Sequence, residues 1–196
     1  MKVYEIVTDP DTYQELSFDD NGYDLDQLEF FKGARNGTWQ QPKNWYVPNV
    51  MAEKGDFVSI DGALAFAAQK ETLDLLRPVL PPQTEKIELT YPDERLYLIN
   101  FTWMSECLDY EKSEYCTATD DPKDLENAYT VEKYIFDPDK FSEHSVFRLK
   151  AGRILPIRLY CYEGVKSNPE EEFKYFVEKN NLKGLLFRTV WDSEKE

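Results

Sequence analysis

The chain has 196 residues, 41% hydrophobic and 15% aromatic, and a formal net charge of −15. That length and apolar content supply one well-packed core and argue against disorder. The negative balance argues against nucleic acid, whose phosphates call for a basic stripe.

In chain order, "KVYEIVT" (2–8) alternates like a strand and stops at the turn former "DPD". "LSFDDNGYDLDQLEFF" (16–31) reads as an acidic loop with spaced apolar anchors. "GTWQQPKNWYVPNV" (37–50) is aromatic but broken by Pro42 and Pro48, which suits loop or edge strand. In "GDFVSIDGALAFAAQKETLDLLRPVL" (55–80), Phe57, Val58 and Ile60 make a short apolar piece. The leucines and alanines after it fit one helix or a strand followed by a helix. The prolines from Pro78 onward end that helix near Arg77, so helix is expected over 69–77.

"TEKIELTY" (84–91), "RLYLINFTW" (95–103) and "SEYCTAT" (113–119) read as consecutive antiparallel strands, with "PDE" turning the first into the second. "AYTVEKYIF" (128–136) and "SVFRLKAGRILPIRLYCYE" (145–163) add strand pieces, the second bent at "AGR" and Pro156. "SNPEEEFKYFVEKNN" (167–181) is a helix. Ser167 or Asn168 caps it, Pro169 suits its first turn, Glu170 to Glu172 face its positive end, and Phe173, Phe176 and Val177 form its buried stripe. "LKGLLFRTVW" (182–191) closes the chain as a strand. The expected class is α+β, mostly antiparallel sheet with two or three packed helices.

No run of about 18 apolar residues occurs, so no membrane helix is expected. The N-terminus turns acidic where a signal peptide carries its apolar segment, which makes the cytoplasm the expected location. Three cysteines, Cys107, Cys116 and Cys161, are too few and odd in number for a disulfide-stapled domain, so reduced thiols are expected. A bridge from Cys107 to Cys116 across a hairpin is the alternative.

Structural zinc needs four Cys or His ligands in close pairs, and here eight residues separate Cys107 from Cys116 while His144 is the sole histidine. "SFDDNGYDLDQLE" (17–29) resembles a calcium loop until its twelfth position, where Leu28 stands in place of the bidentate glutamate. No metal or cofactor is therefore expected. His144 beside Glu143, and the adjacent acids Asp19–Asp20 and Asp120–Asp121, are the candidate acid–base groups. No G-x-S-x-G, P-loop, G-x-G-x-x-G or H-E-x-x-H accompanies them, and the expectation is no enzyme.

The excess charge is concentrated. Residues 1–30 hold nine acids and one base, residues 104–126 hold eight and two, and the rest nearly cancels. Either these are solvated loops, or they form an acidic face for a basic partner. On the second reading the partner-facing residues are Asp19, Asp20, Asp24 and Asp26 in the first segment. The second segment contributes Glu106, Asp109, Glu111, Glu114, Asp120 and Asp121. Trp45 and Tyr46, in the proline-broken stretch, are the expected aromatic anchors.

Several segments in order resemble a bacterial immunity-protein family of polymorphic toxin systems, the myxobacterial-type immunity domain, formerly a domain of unknown function. They are "GDFVSIDGALAFAAQKETLDLLRPVL", "LYLINFTWMSECLDYEKSEYC", "VFRLKAGRILPIRLYCYE" and "FKYFVEKNNLKGLLFRTVW". The matching positions are Cys107, Leu108, Asp109, Ser113, Phe147, Arg148, Leu182, Lys183, Gly184, Leu185 and Phe187. The resemblance covers roughly residues 55–191 and leaves 1–54 as an unmatched N-terminal lobe of a single domain. It implies a non-enzymatic protein that binds and neutralises a toxin made by the same bacterium, with no catalytic residues. Its motif positions read as structural: Gly184 where a helix turns into a strand, Phe187 pointing into the core. The alternatives are an acidic regulatory or DNA-mimic module, and a carboxylate-dependent enzyme.

Overall fold

Two large sheets and a two-stranded ribbon carry the apolar runs. The computed structural model describes residues 1–18, 44–60, 63–89, 91, 94–117, 128–150 and 158–195. Within them lie β1 (Lys2–Thr8), β2 (Glu15–Phe18), β3 (Trp45–Tyr46), β4 (Phe57–Ile60), β5 (Ala63–Gln69) and α1 (Lys70–Leu76). Then come β6 (Glu85–Glu88), β7 (Leu96–Asn100), β8 (Met104–Ser105), β9 (Glu114–Thr117) and β10 (Ala128–Lys133). The last are β11 (Val146–Leu149), β12 (Leu159–Glu163), α2 (Phe173–Lys179) and β13 (Leu185–Asp192).

The first sheet runs β13-β1-β12-β11-β8 and the second β3-β2-β4-β5-β7-β6, while β9 pairs with β10. Most pairs are antiparallel; β8 with β11 and β2 with β4 are parallel. The class is α+β, as expected.

Alternation along the strands sorts residues to two faces. From the first sheet Tyr4, Ile6, Val146, Leu159 and Cys161 enter one buried cluster, which also takes Phe57, Phe66, Ala68, Ile99 and Phe101 from the second sheet and its flank. Leu73 and Leu76 of α1 and Phe173 and Val177 of α2 complete it. On the opposite face of the first sheet, Val3, Phe147, Leu149, Tyr160 and Tyr162 pack with Tyr115, Val131, Tyr134 and Phe136 from the ribbon and the residues beyond it. The opposite face of the second sheet buries Leu16, Val58, Ile60, Ala67, Leu96 and Leu98. Burial on both faces explains why β4, β11 and β12 are nearly continuous apolar runs instead of alternating ones.

α1 follows β5 directly, with Gln69 extended (φ −71°, ψ 162°) as its cap, and Pro78 stops it within a residue of the expected end. The segment 167–181 departs from the single helix expected. Residues Pro169–Glu171 form a 3₁₀ turn capped by the Asn168 side chain, Glu172 is extended, and α2 begins at Phe173. The cause is Glu172. Its buried carboxylate turns inward to accept the N–H groups of Gly164 (3.0 Å), Val165 (2.9 Å) and Lys166 (2.8 Å). It satisfies the loop after β12 instead of facing the helix dipole.

β9 also departs from its expected place. It is not the third strand of a β6–β7–β9 meander, because β7 is already flanked by β5 and β6. The parallel pairing of β8 with β11 carries the chain across to the first sheet, and β9 then finds β10.

Gly184 has φ +107°, and a Cβ there would lie 2.2 Å from the Phe57 carbonyl oxygen. Both the left-handed backbone and the close approach of β13 to β4 exclude a side chain. Gly184→Ala is expected to destabilise the protein by about 3 kcal/mol, measured as a lower urea midpoint at unchanged slope; an unchanged midpoint would show that the junction relaxes freely.

Candidate partner-binding surface

β8 ends at Ser105, and the chain then turns from the surface into the core. Glu106 is exposed, while Cys107 and Leu108 are buried. Leu108 bridges to Phe136, Asp109 N–H donates to Ile135 O at 2.8 Å, and Asp137 N–H donates to Cys107 O at 2.8 Å. Ser113, fully buried, accepts from Ile135 N–H (3.1 Å) and donates to its carbonyl (3.3 Å). The Cys107-Leu108-Asp109…Ser113 motif is thus a stitch that holds an outward-facing turn against residues 135–137.

The acids on this turn are not bare. Glu106 meets Lys150 at 2.6 Å, Asp109 meets Lys112 at 2.8 Å, and Glu114 faces Lys133 at 3.7 Å. The hydrogen bond from Lys150 holds the Glu106 carboxyl below the usual glutamate range, and Lys112 does the same for Asp109. Within residues 104–117 four acids face one base in sequence. In space Lys133, at the end of β10, and Lys150, just past β11, return beside them. Glu111 is exposed at the tip. Asp19, Asp20, Asp24, Asp26, Asp120 and Asp121, like most of the calcium-like stretch 17–29, lie outside the described residues.

The aromatic pair divides. Trp45 is buried, its ring edge-on to Phe18 at 5.3 Å, and so contributes packing beneath the surface. Tyr46, the adjacent residue of the edge strand β3, is 46% exposed.

His144 is not a free loop histidine. Its ring packs edge-on to Trp103 at 4.8 Å, and Trp103 Nε1–H donates to Ser142 Oγ at 3.1 Å. Arg148 is likewise buried: its Nε–H donates to Phe101 O at 2.8 Å and its backbone N–H to Trp103 O at 2.9 Å. Burial pulls its guanidinium down to about 10. It binds the end of β7 to β11.

The cysteines are free thiols, so the hairpin bridge does not form. Cys107 and Cys161 are buried, which pushes Cys107 up to about 12 and Cys161 well above its ordinary range. Among the described residues no group of three or more His, Cys, Asp or Glu is placed to hold a metal ion, and no helix is long and apolar enough to cross a membrane.

One feature escaped sequence reasoning: a cleft of about 510 Å³ lined by the turn after β1, the start of β2, β4, β5, β12 and β13. It is assembled from segments too far apart for any local motif to signal.

Since only thiolate reacts, a mild thiol reagent at pH 8 is expected to modify Cys116 alone in the folded protein and all three cysteines in denaturant. Fast modification of two or more before unfolding would contradict the burial of Cys107 and Cys161.

The profile of the immunity protein family (Imm11) matches residues 86–192, more than half of the chain. No curated protein gives a match. The matched span runs from β6 to the end of β13 and contains the stitched turn, buried Arg148 and the Gly184 junction. The chain belongs to the immunity protein family Imm11.

Proposed function

We propose that this protein protects the bacterium that makes it by binding a cognate toxin and blocking its action, without chemistry of its own and without a cofactor. The observation that carries this reading is the family match over residues 86–192. A binding role is supported by the exposure of Glu106, Glu111, Glu114 and Tyr46, which stand where a partner can reach them. The site of action is the cytoplasm, where a toxin arriving from a neighbour or leaking from its own producer must be met.

The chain acts as one domain. In support, β1 is inserted between β12 and β13, which ties the N-terminal third to the family-matched span. The toxin-facing surface is taken to include Glu106, Asp109, Glu111 and Glu114, with Tyr46 as an aromatic contact and Trp45 holding its strand. Asp19, Asp20, Asp24, Asp26, Asp120 and Asp121 extend the negative field. A basic partner exchanges its own cations for Lys150, Lys112 and Lys133. Such exposed pairs contribute little in water, so the exchange costs little. A stable complex of this kind buries roughly 1,600 Å² in total.

The test is co-expression with the C-terminal domain of any large protein found to be encoded beside this gene. Growth should be rescued and the two chains should co-purify; a toxic neighbour that is neither bound nor neutralised would remove the reading. Association of the purified pair is expected to slow by about tenfold or more between 50 mM and 500 mM salt. An association rate independent of salt would remove the electrostatic part alone.

A further inference from the structure

The cleft at the open end of the two sheets has a built asymmetry. Apolar residues line part of it: Phe66 and Leu159 from the cluster between the two sheets, and Leu186, which is 42% exposed. One rim is acidic, with Asp9, Asp11 and Glu15 on the turn from β1 to β2. That turn is rigidly held. Asn49 donates from Nδ2 to Pro10 O (3.1 Å) and Tyr13 O (3.0 Å), and its Oδ1 accepts from Glu15 N–H (2.9 Å). Asp9 Oδ1 accepts from Thr12 N–H at 3.2 Å. Across the cleft Thr8 and Ser59 join their hydroxyls at 2.9 Å, and Ser59 Oγ lies 3.4 Å from Glu15 Oε1.

We propose that this cleft receives a lysine or arginine side chain from the toxin, its aliphatic stem on the apolar lining and its charged head against the carboxylates of Asp9, Asp11 and Glu15. A long cationic side chain is the chemistry that satisfies both features at once, because it buries methylenes while keeping its charge at the rim. The volume lies within the range of small-ligand sites. A rim already fixed by Asn49 loses little conformational entropy on binding. Arg188 also lines the cleft. Its cross-strand neighbour Glu5 is engaged by Arg158 at 2.8 Å, and no ion pair among the described residues holds Arg188. Arg188 therefore repels a cationic occupant and gives the proposal a sign.

The inference rests on the toxin-binding reading, and the experiment separates the two. With an inactivated toxin domain that this protein neutralises on co-expression as probe, Asp11→Lys should weaken binding by about tenfold or more, and Arg188→Ala should tighten it about threefold. Both positions are exposed, so the thermal unfolding curves of the variants should match wild type. An unchanged affinity for Asp11→Lys, or weaker binding by Arg188→Ala, overturns the cleft while leaving toxin binding intact. If wild type does not bind the domain at all, the toxin reading falls, and NMR titration with N-acetylarginine amide judges the cleft alone. Shifts at the amides of Glu15, Phe66 and Leu186 support it; their absence overturns it.

Discussion

β1, inserted between β12 and β13, joins the two ends of the chain and both buried faces of the first sheet. Residues Lys2 to Ile6 pair on both sides with strands from the last forty residues, Lys2 meeting Glu163 on one edge and Asp192 on the other. The strand's two faces then commit to different clusters: Tyr4 and Ile6 to the one shared with the second sheet and both helices, Val3 to the one beneath the ribbon. Removing β1 would open both at once. Pairing of such sequence-distant strands carries a large loop-closure cost, which the burial of two apolar faces has to offset. The Gly184 junction serves the same end, since it lets β13 leave α2 and lie against β1 with no side chain between itself and Phe57.

A scaffold closed this way leaves its polar chemistry at the rims. Glu172, the one fully buried carboxylate among the described residues, satisfies three backbone N–H groups and is part of the architecture. Arg148 and Ser113 are likewise consumed by main-chain partners. The surface then offers two kinds of negative charge. The acids of 106–114 are screened by lysines that the fold returns to them. Those of the β1–β2 turn border an apolar cleft. A basic partner meets both, but only the cleft adds shape to charge.

Strands were legible wherever local pattern and burial agreed. "KVYEIVT" became β1 without change, and α1 ended where Pro78 required. What pattern alone misplaced was partnership. "SEYCTAT" is a strand, yet nothing in its own residues says that β7 has no free edge left for it. The same limit governed the candidate surface. Within 104–117 the sequence shows four acids and one base, and it does not show that Lys133 and Lys150, on later segments, come to lie beside Glu114 and Glu106. Trp45 and Tyr46 looked alike in sequence, and the pleat of β3 put one inside and one out. Gly184 was readable in advance, since a glycine between a helix and a strand has a local steric meaning.

Stoichiometric binding and catalytic inactivation are separated by titrating a fixed amount of the cognate toxin domain with this protein and following the toxin's own activity. The proposed binding gives a linear fall that reaches zero at one equivalent and does not deepen with time. Progressive inactivation of the toxin by a small fraction of an equivalent would mean that protection is enzymatic.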